Sequence, residues 1–300
     1  MSEEVKKKKT VSFSQFSKWF TCPYQWYRDY ILKEKTFEDS LHMSFGTGIH
    51  EAIQNYLTVL LKEGEEKARQ LDSVKVFTEA FQREVTKKSI PHTEAEMNGF
   101  IEDGKNILSE FLNPVNIRMN FNPAKWELLA IEDDLNEGVR NNLNLTGKLD
   151  VVLREKATGN IRIIDFKTST RGWNSYQKED FTKTSQLVLY KALYSKRNNL
   201  PLTKIKVEFI ILKRQVYDES KSKFPQTRID MFSPSSHQND VMTVIQEFGK
   251  FTDACFTPDG QYKTDGNFPK IPGDRKKNCK YCPYLENGKC DGKASKTVVL

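Results

Sequence analysis

The chain has 300 residues, 37% hydrophobic and 29% charged, with 47 Lys and Arg against 40 Asp and Glu for a formal net charge of +7. That is enough apolar material for one large domain with a real core, and no run of about 18 apolar residues exists to cross a membrane. The basic excess permits a polyanionic partner without demanding one.

Met1 to Thr10 holds Lys6-Lys7-Lys8-Lys9 with no apolar stretch behind it. Residues 1–11 therefore read as a disordered basic tail and not as a secretory signal, which points to a cytoplasmic protein. In Ser12–Ile31 the aromatic residues Phe13, Phe16, Phe20 and Tyr24 recur every three or four positions. That spacing predicts a helix, which Pro23 can break. Further helices are expected at Gly46–Leu61, Leu71–Lys87 and Glu94–Leu112. The strand pattern begins with Trp126–Ile131, Leu143–Leu153 and Ile161–Lys167. Phe181–Arg197 returns to helical periodicity. Lys204–Lys213 and Gln226–Phe232 read as strands, Ser236–Phe256 as a helix, and the Gly-, Pro- and Asp-rich tail from Thr257 as irregular. Helices, then strands, helix, strands and helix again imply an α/β fold on a mixed sheet.

Asp165 and Lys167 are two apart on a strand, so they share a face. The apolar run Ile161, Ile163, Ile164 makes that strand a central one. If Lys156–Asn160 closes an antiparallel hairpin centred between Ala157 and Thr158, Asp150 falls opposite Asp165. Facing residues lie about 4.5–5.5 Å apart between Cα atoms, where two carboxylates repel. A hard cation such as Mg²⁺ or Mn²⁺ between them reverses the sign. Such an ion can hold a phosphate oxygen and acidify a bound water, with Lys167 orienting that water. The bland reading is a salt-bridged surface hairpin. Beyond Lys167, Arg171 and Trp173 supply a cation and an indole suited to backbone contact and base stacking.

Cys279 and Cys282 form a C-x₂-C pair, Cys290 follows after seven residues, and Cys22 stands near the start. Four thiolates can bind Zn²⁺ or a [4Fe–4S] cluster, and the pair alone does not choose. Cys255 follows Phe251 by one helical turn and reads as a buried core thiol. No G-x-x-x-x-G-K-[ST] sequence is present, so the chain has no helicase motor of its own.

Gly147-x-x-Asp150 followed by Asp165-x-Lys167 resembles the PD-(D/E)XK nucleases, in particular the RecB/AddB-type nuclease domains and the related iron–sulfur nucleases of CRISPR adaptation. The resemblance implies a restriction-endonuclease-like mixed β-sheet flanked by helices, with a helical insertion at about 65–115. It covers most of residues 12–290. It implies a metal-dependent DNA nuclease, an exonuclease on single-stranded or free-ended DNA in recombination, repair or replication, working with a separate helicase or recombination protein. His50, in Gly46-Thr47-Gly48-Ile49-His50, is implied as a metal ligand beside Asp150, Asp165 and the Phe166 carbonyl. Its helical stripe with Leu57 and Leu61 fits a core histidine equally well. Gln186 and Tyr190 match the family's Q-x-x-x-Y, which faces DNA, although Tyr190 could pack in the core. Glu127 stands where related nucleases carry a glutamate. One early and three late cysteines resemble the iron–sulfur staple of those families, implying a C-terminal clip at 275–292. The competing readings are a non-catalytic DNA-binding or assembly module and an RNA-acting nuclease of the same fold.

Overall fold

The computed structural model describes residues 9–35, 39–217 and 226–295. The order is β1 (Lys9–Ser12), α1 (Phe13–Thr21), α2 (Pro23–Tyr30), α3 (Leu41–Glu63), α4 (Glu65–Ala68), α5 (Ser73–Lys87), α6 (Glu94–Phe111), α7 (Pro114–Phe121), β2 (Trp126–Gly138), β3 (Leu143–Glu155), β4 (Ile161–Ser169), α8 (Ser175–Glu179), α9 (Phe181–Asn198), β5 (Ile205–Lys213), β6 (Ile229–Phe232), α10 (Gln238–Cys255) and α11 (Pro283–Glu286).

Six strands form one mixed sheet in the order β1-β3-β4-β5-β6, with β2 also paired to β3. One edge of β3 carries β2 along nearly its whole length. The other edge is divided. Leu143–Thr146 pairs in parallel with β1, and Val151–Arg154 pairs with β4. Between those ladders, Gly147 to Asp150 faces a gap. Past Ile164, β4 leaves β3 but keeps its parallel ladder with β5 through Ser169. The strands part where the acidic residues begin.

Alternate residues of the sheet feed two cores. Leu145, Val152, Ile163, Phe209 and Ile211 pack toward α1, α9 and α10, while Val151, Ile164, Phe166, Ile210 and Leu212 pack toward α3, α5 and α6. Residues 65–115 are largely helical. Phe77 and Phe81 on α5 and Phe100 on α6 close on Phe45 of α3 at ring separations of 5.5, 6.1 and 5.6 Å. Buried charge on β4 is satisfied where it is structural: Arg162 donates to Glu208 (3.0 Å) and to the Asn120 carbonyl (2.7 Å).

The structure departs from the sequence reading in four places. The helix expected over 12–31 is two helices, because Pro23 starts α2 at its first turn and Cys22 between them is extended (φ −159°). Residues 9–11 of the expected tail lie in β1, held by β3, while residues 1–8 fall outside the described residues. Helix α3 starts at Leu41 rather than Gly46, and its glycines are tolerated because Gly48 packs against the α5 backbone. Helices α7 and α8 are additional. Among the described residues no helix is long and apolar enough to cross a membrane.

Candidate active site

The gap in β3 places the predicted acidic residues together. Asp150 stands at its end and accepts a hydrogen bond at Oδ2 from the Phe166 N–H (2.7 Å). His50 reaches in from α3, with Nδ1 3.5 Å from the same oxygen. Its ring lies against Phe166 at 5.8 Å and its imidazole meets the Phe166 backbone. Asp165 and Lys167 share a face of β4, as their spacing requires, and Lys167 Nζ lies 2.7 Å from Asp165 Oδ2. That contact is an ion pair; the oxygen is buried and otherwise has no hydrogen-bond partner. Lys167 Nζ also donates to Gln186 Oε1 (3.0 Å) on α9. One turn along α9, Tyr190 is buried with its ring under Gly147, where an added Cβ would lie 2.6 Å from the phenol. Glycine is required there because the tyrosine fills the space a side chain would take.

The electrostatics follow from burial. Desolvation, then the charge of Asp165, push the Asp150 carboxyl up to about 8 against the opposing pull of the Phe166 N–H and Lys167. Burial holds His50 below the usual histidine range, so its imidazole is neutral at pH 7 and keeps a lone pair. Burial alone would lower Lys167, but the adjacent Asp165 outweighs it and the ammonium stays charged. A neutral imidazole, two crowded carboxylates and a backbone carbonyl form a hard, mainly oxygen donor set that suits Mg²⁺ or Mn²⁺. Among the described residues no three His, Cys, Asp or Glu side chains are gathered tightly enough to hold an ion.

The family model of the PD-(D/E)XK nuclease superfamily matches residues 10–286. The chain belongs to that superfamily. Its members hydrolyse phosphodiester bonds, generally with divalent metals. The crystal structure of a protein named a putative exonuclease, from Eubacterium rectale, superposes with a TM-score of 0.50 at 11% identity, covering 84% of each chain. At that identity the likeness is one of fold. No curated protein matches the sequence.

Other expected positions of this PD-(D/E)XK chain lie at varying distance from the centre. Glu127 is an edge-strand residue: Arg154 grips it with two bonds of 2.9 Å, and the pair is exposed. The glutamate the centre does feel is Glu132, whose charge acts on both His50 and Asp150. It falls between the pairs Ile131–Val151 and Asp133–Leu149, level with Asp150, at a left-handed φ of +53°. Gln54 donates to it (2.7 Å) and Lys148 pairs with it (3.0 Å). An alternating strand pattern gave no sign of that irregularity. Trp173 packs on Phe209 (5.0 Å) with Lys183 over its ring (5.2 Å), and exposed Arg171 lies over Tyr217 (5.6 Å).

Cys22, Cys279, Cys282 and Cys290 all line one small cavity of ≈ 10 Å³, about the room one water needs. The segment carrying the last three docks on α2. Gln25 donates to the Asn278 carbonyl (3.2 Å), Asn278 to the Thr21 carbonyl (3.0 Å) and Arg28 to the Lys289 carbonyl (3.0 Å). Cys255 is fully buried in the core beneath α10, apart from that cavity, as its spacing predicts, and burial pushes its thiol up.

Proposed function

We propose that this chain is a Mg²⁺- or Mn²⁺-dependent deoxyribonuclease of the RecB/AddB type, acting as an exonuclease on single-stranded or frayed DNA. The observation that carries the reading is the parted hairpin, where two buried carboxylates crowd each other and the Asp165 charge helps to push Asp150 up. Elsewhere on β4 the buried Arg162 meets a single carboxylate, Glu208 of β5, with no second acid beside it. A fold rarely crowds two carboxylates in its interior unless a ligand completes the site.

His50, Asp150, Asp165 and the Phe166 carbonyl would hold the ion. When bound, it supplies positive charge to a phosphate oxygen and lowers the pKa of a water. The chain's own residues do the positioning. Lys167, fixed between Asp165 and Gln186, keeps a charged ammonium at the edge of the gap, where it orients the water and offsets charge on the phosphate. Tyr190 fixes the floor beneath Gly147. Arg171 and Trp173 extend the site toward the bases, and the exposed Arg171 is placed to meet a phosphate. The four cysteines would hold one metal centre, the [4Fe–4S] cluster of the iron–sulfur nucleases or a zinc ion. Binding either centre requires the Cys279–Cys290 loop to move, since among the described residues the four thiols are not gathered as a ligand set. A net charge of +7 suits a polyanionic substrate.

The test is a cleavage assay on matched DNA and RNA strands, labelled at either end, with Mn²⁺ and with EDTA. Degradation of DNA from an end is expected, abolished by EDTA and by Asp165→Ala or Lys167→Ala in folded protein. Either variant turning over at the parental rate would refute the site. Equal or preferred cleavage of RNA would refute the substrate.

A further inference from the structure

Arg214 follows directly on β5, and its backbone N–H donates to the Ser169 carbonyl at the end of β4 (2.9 Å). Its side chain is buried, 8% exposed. The guanidinium lies 4.0 Å over the Phe100 ring and 5.8 Å from Phe45. Asp103 stands 3.8 Å from Nε, beyond hydrogen-bond distance, and Nε is buried without a hydrogen-bond partner. Nε therefore makes no hydrogen bond among the described residues. A buried arginine ordinarily spends its planar fork on a carboxylate or carbonyls, as Arg162 does on this sheet. Arg214 lies against ring faces instead, its Nε without a hydrogen bond among the described residues.

The surroundings carry further nitrogen donors. His42, in the first turn of α3, meets the same Phe100 ring at 5.1 Å, and burial together with the Arg214 charge holds its imidazole below the usual range. Arg228 donates to the Lys213 carbonyl (3.4 Å) and to the Arg214 carbonyl. The carboxylates facing this corner are Asp103 and Glu110, and Glu110 is taken up by the backbone N–H groups of Arg228 and Ile229. Ser40 gives α3 no side-chain cap, and its carbonyl takes the Met43 N–H (3.0 Å).

Two rulers place the corner relative to the cleavage centre. Lys167 is in register with Ile211, so Arg214 lies three residues, about 10 Å, further along the strand direction. His42 lies eight residues before His50 on α3, about 12 Å. Between them α3 and β4 run close, since a Cβ on Gly46 would come within 3.2 Å of Thr168 Oγ1.

We propose that Arg214, with His42 beside it, holds a backbone phosphate of the bound strand about 10 Å from the scissile position. The proposal rests on the nuclease reading above and names where the strand leaves the centre. A phosphate diester presents two oxygens to the fork in a plane and adds one negative charge beside the guanidinium.

The test is fluorescence anisotropy of a labelled single strand of roughly twelve nucleotides, with Mn²⁺ and the Asp165→Ala chain so that nothing is cut. Arg214→Gln is expected to raise Kd about tenfold and to flatten the dependence of log Kd on log salt by about 0.7. Arg214→Lys, which restores charge without the fork, should recover the salt slope and only part of the affinity. In the cleavage-competent chain the loss should fall on KM more than on kcat. If Arg214→Gln does not fold, the exposed His42→Gln carries the test, with Kd raised about threefold. A folded Arg214→Gln with unchanged Kd and slope overturns the proposal, as does an unfolded one with His42→Gln binding like the parent. Cleavage that survives with Arg214-independent binding sinks this site alone. Arg214-dependent binding without any Mn²⁺-dependent cleavage sinks the nuclease reading and leaves the anion site standing.

Discussion

Asp150 is the residue whose chemistry is most at odds with its surroundings. Its folded-state pKa of about 8 stands far above the ~3.9 of an unfolded aspartate. The folded chain therefore holds this proton more tightly than the unfolded one. The sign follows: the group's contribution is favourable at low pH, and stability is lost as pH rises between those two values. Asparagine keeps the shape and an oxygen to accept from the Phe166 N–H but cannot ionise. Asp150→Asn in EDTA should therefore melt above the parent at pH 8.5, by about 2–4 °C for each kcal/mol recovered, with the gap shrinking as pH falls toward 4. Mn²⁺ should raise the parent's melting temperature and leave the variant's unchanged, while cleavage is lost. Equal melting temperatures at pH 8.5 would mean that Asp150 ionises without strain and that the crowding carries no functional message.

At the scale of elements, the gap in β3 is kept open by what fills it. Tyr190 from α9 occupies the space over Gly147, and Phe13 from α1 supports its ring at 6.5 Å. Gly147→Ala should cost about 1–3 kcal/mol by urea denaturation, the usual penalty for overfilling a packed site. In a Tyr190→Ala background the same change should cost almost nothing, because the clash is gone. Additive costs would show that Gly147 is needed for its backbone and not for the tyrosine. The hairpin itself was legible in the sequence. Centring the turn between Ala157 and Thr158 predicts the observed pairs Val151–Ile164 and Val152–Ile163, because strand period and turn length leave one register that buries the isoleucines. That β4 would part from β3 just beyond was not legible, since it depends on β1 and β5 taking up the freed edges. Nor was β1, four residues whose strand character comes from its partner and not from its own lysine and threonine. Glu132 and Arg214 were missed for a related reason. One is displaced by a left-handed residue within a long strand, and the other matters only through rings brought to it from α3 and α6. His50, Gln186 and Lys167 keep helical or strand periods, so their convergence follows once the sheet order is known.

For the whole molecule, the question is what fastens the two ends of the chain. The C-terminal segment already grips α2 without any metal, through Arg28 to the Lys289 carbonyl, Gln25 to the Asn278 carbonyl, and the Ile271 N–H on Cys22 Sγ at 3.4 Å. A metal centre on Cys22, Cys279, Cys282 and Cys290 would add to a dock that exists, and its binding free energy would appear as folding free energy. The dock sits on α2, and its neighbour α1 packs toward α9, which carries Gln186 and Tyr190, so loosening it reaches the active site through the core. Anaerobically purified protein should carry metal: brown with about four irons for a [4Fe–4S] centre, or colourless with about one zinc. Cys22→Ser should lose that metal, lower the melting temperature and expose residues 270–290 to proteolysis, while the remaining hydrogen bonds keep the sheet folded. Cys255→Ser should cost stability and leave the metal content unchanged, because that thiol lies in the core beneath α10, apart from the four-cysteine cavity. Full metal retention in Cys22→Ser would mean that the three late cysteines bind alone and that the two ends are joined by packing only.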